Sequence, residues 1–526
     1  MYASLLTRRY LTSKVMPLLA AGAVALCTLM VLITWSVMGG FLRTLLDSGR
    51  TFVGDVRVQW PTTGFAYYED LVGRLRKEPT VAGATAMIET FGLLGFDDGR
   101  MDGVNIRGID PATYASVADY EAALWWKPIQ TPVRKDRKRE DLRLTPEWRT
   151  VLERVYEDGL RLAEMDPETG VLKPAVVMGI EVSGLSERRV EGFYTPREMG
   201  QPTEKGGVRM SRQFAPATSV NISVLPLDTK GRSIEVSARR MPVANEFRSG
   251  IFEIDRRTIF LPLGALQRML KMDEAVRVEP GSAGATGAED SPFGAGADGR
   301  EAFAEPRVVG VDPARVTSVW VRAADGVTAQ QLRDAVEAVY AGFARDHAGD
   351  VPSAELMRLN KLIATWEETN AVLVGAVKKE TVLVIGLLFV ISFVASMLIL
   401  AIFWSMVAEK TKDIGILRAL GASRADVAWV WLRYGLMIGV VGSVAGGLGA
   451  LAVVRNINEI HEWLGASLGV QVWDPKVYYF TQIPNKVDPL HAVIVLGAGV
   501  GFSVLGALVP AVRAARMDPV RALRFE

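Results

Sequence analysis

Charged residues are spread unevenly along this chain. Residues 15–42, 381–408, 434–454 and 489–512 contain no Asp, Glu, Lys or Arg. A helix needs about 20 apolar residues to cross the hydrocarbon core of a bilayer, and each run is long enough. With the turns before the third run included, the pattern predicts membrane helices over 15–42, 381–408, 426–454 and 489–512. Between Arg43 and Glu380 the pattern changes. Strand-like pieces fall at 55–59, 104–109, 175–178, 220–224, 234–236, 258–261 and 316–322. Apolar positions at helical spacing predict helices over 67–77, 146–165, 263–272 and 327–341. The fold class expected is a membrane protein: four transmembrane α-helices plus a large mixed α/β (α+β) domain inserted between helices 1 and 2.

The inserted segment, 43–380, divides further. Residues 43–130 and 307–375 read as a first subdomain and 171–275 as a second. Between them lies a charged insertion, 131–170, opening on Arg134-Lys-Asp-Arg-Lys-Arg-Glu-Asp141. Such a run is usually a solvated face. Residues 279–306 form a Gly/Ala-rich linker. Its Gly294-x-Gly296-x-x-Gly299 matches a dinucleotide fingerprint by letters only, with no strand before it and no helix after it.

Lys and Arg in the short flanks set the orientation. Arg8, Arg9 and Lys14 precede the first span; Lys410, Lys412, Arg418 and Arg424 join the second to the third; Arg513, Arg516, Arg521 and Arg524 follow the fourth. Four spans place all three groups on one side, the cytoplasm. Segments 1–14, 409–425 and 513–526 are then cytoplasmic, and 43–380 and the loop 455–488 lie outside. The first run is too long for the apolar region of a signal peptide, about 7–15 residues, and no A-x-A site follows it. It reads as an uncleaved span.

Composition agrees with this division. Hydrophobic residues make up 49% of the chain and its mean hydropathy is +0.19, although 23% of residues are charged. The net charge of +1 excludes a generally basic nucleic-acid binder. One cysteine, Cys27, excludes an intrachain disulfide, and three histidines do not supply a usual metal site. There is no phosphate-binding Gly-x-x-x-x-Gly-Lys-Ser/Thr loop, no nucleophile elbow and no His-Glu-x-x-His. No catalytic set, metal site or cofactor is expected in this chain.

The loop after the second span carries the densest signal. It reads Glu409-Lys-Thr-Lys-Asp-Ile-Gly-Ile-Leu-Arg-Ala-Leu-Gly-Ala-Ser423. Ile414, Leu417 and Leu420 give a short helix one apolar edge. Gly421 suits a left-handed helix end, and Ser423 with Asp426 suits the cap of the next helix. Two readings stand: a helix that only joins two spans, or a docking helix for a cytoplasmic partner. In the third span Gly435, Gly439, Ser443 and Gly447 recur at spacing four, which lets helices approach closely. The uncharged cores carry no ionisable relay, which argues against ion-coupled transport.

Asp413-Ile-Gly-Ile-Leu-Arg-Ala-Leu-Gly-Ala422 resembles the coupling-loop signature of FtsX/MacB-superfamily ABC transporter permeases. The ending Pro510-Ala-Val-Arg-Ala-Ala-Arg-Met-Asp-Pro-Val-Arg-Ala-Leu-Arg-Phe-Glu526 is similar to that superfamily's C-terminal signature. Residues 5–10, Ser36-Val-Met-Gly-Gly-Phe41, Val104-Asn-Ile-Arg-Gly-Ile-Asp-Pro111, Pro174-Ala-Val-Val-Met-Gly179, Phe247-Arg-Ser-Gly-Ile-Phe-Glu-Ile-Asp255, Phe260-Leu-Pro-Leu-Gly264 and Asp474-Pro-Lys-Val-Tyr-Tyr479 resemble its lipoprotein-releasing, LolC/LolE-type branch. Residues 134–168 and 279–300 depart from it.

The resemblance implies a bacterial inner-membrane permease with a periplasmic outer domain. ATP and Mg would be bound by separate cytoplasmic LolD-like subunits gripping Glu409, Lys410, Asp413, Ile414, Leu417, Arg418, Leu420 and Gly421. A second permease copy, identical or not, would complete the assembly. A lipoprotein would pass to a periplasmic carrier. Its acyl chains would shelter beside Met30, Ile33, Val37, Met38 and Phe41, opposite Val374, Leu388 and Phe389. The alternatives are a related permease exporting another substrate, or a subunit that signals to a periplasmic cell-wall hydrolase without transport.

Overall fold

The computed structural model describes residues 15–133, 141–166, 168–189, 193–202, 207–227, 231–279, 307–468, 483, 485 and 487–523. All but the first residue of the expected linker at 279–306, most of the charged run at 134–141 and the residues 5–10 and 474–479 therefore lie outside the described residues. The chain divides into two compact units, 1–47 with 370–526, and 48–369.

Among the described residues of the first unit, four helices are long and apolar enough to cross a membrane: Met16–Phe41, Val374–Glu409, Arg424–Arg455 and Pro489–Ala515. The uncharged runs found these, but two helices are longer than the runs. The first continues to Val53 and the second begins at Ala371. At about 1.5 Å per residue each exceeds a hydrocarbon core of about 30 Å. Helix formation needs no apolar residue, and Lys378, Lys379 and Glu380 continue the second helix beyond its uncharged part.

Small residues set the spacing of these helices. A Cβ on Gly435 would lie 2.6 Å from Ala507 Cβ, and one on Gly439 3.0 Å from Ser503 Cβ. A Cβ on Gly442 would lie 2.7 Å from the Ala21 carbonyl oxygen, and one on Gly446 would clash with that of Ala25. Gly447 faces Leu496, and Ser443 is buried beside Gly499. The third span thus packs on the fourth by one face and on the first by another. Hydroxyls add direct ties. Ser503 Oγ donates to Gly435 O at 2.9 Å, and Ser396 Oγ of the second span donates to Phe502 O at 3.0 Å.

The second unit is built on a nine-stranded mixed sheet. Its strands are β1 (Val56–Gln59), β2 (Val81–Gly95), β3 (Met101–Ile109), β4 (Val176–Gly179), β5 (Ser219–Val224), β6 (Ser237–Phe247), β7 (Thr258–Pro262), β8 (Ser318–Ala323) and β9 (Ile363–Thr365). The order is β5-β6-β4-β7-β3-β2-β8-β1-β9. Strands from both expected subdomains therefore share one sheet. The long β2 pairs with β3 from Met87 to Gly95, with β8 in its first part (Met87 opposite Ser318) and with β5 at its end (Leu94 opposite Ile222). The last pairing closes β5-β6-β4-β7-β3-β2 into a ring. Gly92 stands where β2 changes partners. A Cβ there would lie 2.5 Å from Ile106 Cδ1 and 2.7 Å from Ser223 O.

The ring and its extension bury Val104, Ile106, Val176, Met178, Ile222, Val243 and Ile259. Helix Ala329–Asp346 covers the β1 side with Leu332, Val336, Tyr340 and Phe343, a stripe at helical spacing. Thr328 and Gln331 form its capping box. The strand expected at 234–236 is not there. Those residues are irregular, and the strand begins at Ser237. The helix expected over 146–165 ends at Arg161, because Leu162 turns left-handed (φ 51°) and Ala163–Met165 pairs with Leu172–Pro174. This part of the insertion is fastened inward. Leu152 and Val155 pack with Trp125, Trp126, Phe193 and Tyr194, and Asn245 Nδ2 donates to Val155 O at 3.0 Å and to Trp126 O at 2.9 Å.

Candidate functional site: a loop helix and a cavity among the spans

The loop after the second span folds as helix Thr411–Ala419. Both ends are fixed by local chemistry. Gly421 takes φ +96°, Ala422 N–H donates to Leu417 O and Gly421 N–H donates to Arg418 O. This is the double closure of a Schellman ending. The Arg418 guanidinium adds a bond to Ala422 O at 3.0 Å. Ser423 and Asp426 then form a reciprocal capping box that starts the third span. Lys410 Nζ pairs with Asp413 at 3.0 Å at the first turn.

The apolar residues of this helix divide between two surroundings. Ile414 is 3% exposed and packs with Val407, Val427 and Ala514, so it anchors the helix to the spans. Ile416, Leu417 and Leu420 are exposed, Leu420 by 80%. Glu409, Lys412 and Asp413 are exposed around them. The short helix Pro519–Leu523 packs against the same loop helix, burying Ala522 and leaving Val520 exposed. The sequence reading missed Ile416 and Val520 as members of this surface.

A cavity of about 130 Å³ lies between the first, second and fourth spans. The first span contributes Val24, Cys27, Thr28, Val31 and Trp35, one face of the helix. Leu388 and Phe389 of the second span line it too. Met30, Ile33, Val37, Met38, Phe41 and Val374 do not line it. Met30 is exposed, Ile33 packs beside Leu32, Ala450 and Val495, and Val374 is buried. At one end the Trp35 ring stacks on His491, with centroids 4.7 Å apart. Close by, Arg43 pairs with Asp488 at 2.8 Å. The Arg43 guanidinium and the Leu490 N–H hold the Asp488 carboxyl below the usual carboxylate range. Neither pair was expected, because the partners are far apart in sequence.

Residues 385–519 match the FtsX-like permease C-terminal family. That range holds the loop helix, the third and fourth spans and most of the second. This part of the chain is thus similar to FtsX-like permeases. The chain is also similar to curated proteins. It is 32% identical over 183 residues to the lipoprotein-releasing system transmembrane protein LolC of Xylella fastidiosa (strain Temecula1), covering 34% of this chain and 44% of that protein. It is 29% identical over 144 residues to LolE of Haemophilus influenzae, covering 27% of this chain and 34% of that protein. It is 29% identical over 171 residues to the macrolide export ATP-binding/permease protein MacB of Hyphomonas neptunium, covering 31% of this chain and 21% of that protein. Each match spans less than half the length of the curated relative.

Proposed function

We propose that this chain is a non-catalytic permease subunit that couples ATP hydrolysis by a separate cytoplasmic subunit to extraction of lipoproteins from the inner membrane, toward a periplasmic carrier. The observation that carries this reading is the construction of the loop helix. It is closed at both ends, held to the spans by Ile414, and presents Ile416, Leu417 and Leu420 outward. A helix that only joined two spans would gain nothing from exposed Leu at 420. A rigid helix with apolar knobs and flanking charges is suited to transmit a push from a protein that grips it.

Orientation follows from charge. Lys410, Lys412, Arg418 and Arg424 of the loop lie at the same ends of the spans as Arg513 and Arg516. The Arg513 guanidinium sits 3.9 Å from the Trp404 ring centroid, a pairing suited to a membrane interface. These ends are cytoplasmic in this reading, and the 48–369 unit is periplasmic. ATP and Mg belong to the partner subunit, and a second permease copy, identical or not, completes the transporter.

Extraction has an energetic requirement. Each acyl methylene moved into water costs about 0.8 kcal/mol. An ATP-driven motion and an apolar shelter meet it together, and Leu388 and Phe389 stand at the cavity where a chain would first leave the bilayer. Leu417→Asp and Leu420→Asp test the docking surface. Each is expected to abolish co-purification with the ATP-binding subunit and its stimulated turnover while the permease remains folded. Unchanged binding and turnover would refute the docking role.

A further inference from the structure

We propose that the outer unit binds an oxyanion, a carboxylate or a phosphate, at Arg57 beside the Arg107–Glu89 pair. Side chains alternate across a strand. With Val56, Val58, Ile88, Ile106, Val319 and Val321 in the core, Arg57 of β1, Glu89 of β2, Arg107 of β3 and Trp320 of β8 share the opposite side of the sheet. Trp320 brings two guanidinium groups together. Arg57 stands directly across from it in the β1–β8 pairing, and the Arg107 guanidinium lies over its ring, 5.0 Å from the centroid. One carboxylate answers them. Arg107 Nε pairs with Glu89 at 3.5 Å, and Ser318 Oγ donates to Glu89 at 3.4 Å. Two other charges lie on this side. Asp55, just before β1, accepts from Ala323 N–H at 2.9 Å, and Arg322 of β8 donates to Val117 O at 3.3 Å. Three guanidinium groups thus face two carboxylates, and among the described residues no carboxylate pairs with Arg57.

The excess charge is partly withdrawn from water. Arg57 is half-buried, and the Arg107 and Glu89 side chains are 13% and 20% exposed. Burial lowers the Arg57 pKa from the ordinary guanidinium value; Glu89 opposes the shift and Arg107 adds to it. A charge held this way gains from a counter-charge, which solvent alone does not supply. The planar fork of Arg57 suits an oxyanion, whose two oxygens accept side by side. The approach is open. Phe91, two residues beyond Glu89 on β2, is 82% exposed, so among the described residues the sheet is left uncovered on that side. This inference does not depend on what the permease moves.

The test uses the full-length chain in phosphatidylcholine nanodiscs at pH 7 and constant ionic strength, with acetate or inorganic phosphate replacing chloride. Hydrogen exchange is read on peptides covering 55–60 and 316–323. A ligand that binds only the folded state stabilises it, so one anion or both should slow exchange several-fold in the native chain. Slowing by acetate alone assigns a carboxylate, and slowing by phosphate alone a phosphate. Phosphate also stabilises proteins through exclusion from their surfaces, so the response is compared with that of Arg57→Gln, which is expected to lose it. Glu89→Gln removes the competing carboxylate and should respond at several-fold lower anion concentration. No slowing by either anion in the native chain, or the same slowing in Arg57→Gln, would overturn the proposal. Arg57→Gln decides it if Glu89→Gln does not fold.

Discussion

Substituting Glu246 by Gln should flatten the pH dependence of the outer unit's stability. Glu246 is wholly buried near the end of β6. Its carboxylate accepts hydrogen bonds from Trp126 Nε1 at 2.7 Å, Ser183 Oγ at 2.8 Å and Ser186 Oγ at 2.5 Å. Burial pushes its pKa from 4.5 up to about 7; the three donors pull the other way and Glu181 adds a small push upward. Asp255 is buried as well and is also pushed to about 7, against the pull of Ser249, the Arg248 guanidinium and the Gly250 N–H. Near pH 4 and below, folded and unfolded chains both hold the Glu246 proton, and ionisation costs nothing. Between about 4.5 and 7 the unfolded chain has released a proton that the folded chain keeps, so stability falls as pH rises. Above 7 the full cost is present, about 3 kcal/mol for Glu246 as an order of magnitude. Gln stays neutral. Its carbonyl accepts from Trp126 and its amide donates to a serine hydroxyl. Hydrogen exchange of peptides covering 123–162 and 181–188, corrected for the intrinsic rate, reads the result at pH 5.5 and 8. The variant should be more protected than the native chain at pH 8 and lose roughly half of the pH dependence, with Asp255 keeping the remainder. Identical pH dependence in the two proteins would refute the reasoning.

Three further outcomes are expected in the membrane unit. Gly446→Val drives a side chain into the Ala25 carbonyl and should cost about 1–3 kcal/mol by overpacking, read as a lower Tm in detergent; Gly497→Ala, which meets nothing within 4 Å, should be neutral. Ser423→Ala removes the hydroxyl that accepts from Asp426 N–H, leaves the Ser423 N–H bond to Asp426, and should cost about 1 kcal/mol, again read by Tm. Ile414→Ala should lower the Tm by opening a cavity among Val407, Val427 and Ala514, at about 2–5 kcal/mol, whereas Leu420→Asp should leave the Tm unchanged and abolish ATPase stimulation.

The parts of this molecule legible in its sequence are those fixed by local or one-dimensional rules. Absence of charge locates the spans because lipid penalises charge at every position. Gly421 and the Ser423–Asp426 pair announce their roles because both concern neighbouring backbone groups. The orientation of the loop helix was not legible. Ile414, Leu417 and Leu420 form one edge by spacing, yet Ile414 is buried by residues from three other helices and Leu420 is not. The cavity face of the first span was equally hidden. That helix is apolar all round, so no period distinguishes Met30 and Ile33 from Cys27 and Thr28. In the outer unit, β2 escaped notice because its residues 81–95 serve three partner strands and do not alternate. The closing end of β6 is likewise disguised by Asn245 and Glu246, polar residues whose partners arrive from distant segments.

The central claim is that ATP hydrolysed by a partner drives lipoprotein release through the exposed face of the loop helix. It is tested by reconstituting the chain with its ATP-binding subunit and an acylated lipoprotein in proteoliposomes, adding soluble carrier, and measuring lipoprotein in the supernatant. The account predicts release that requires ATP and is lost in Leu417→Asp and Leu420→Asp. ATP turnover without release, or release undiminished in both variants, would contradict it.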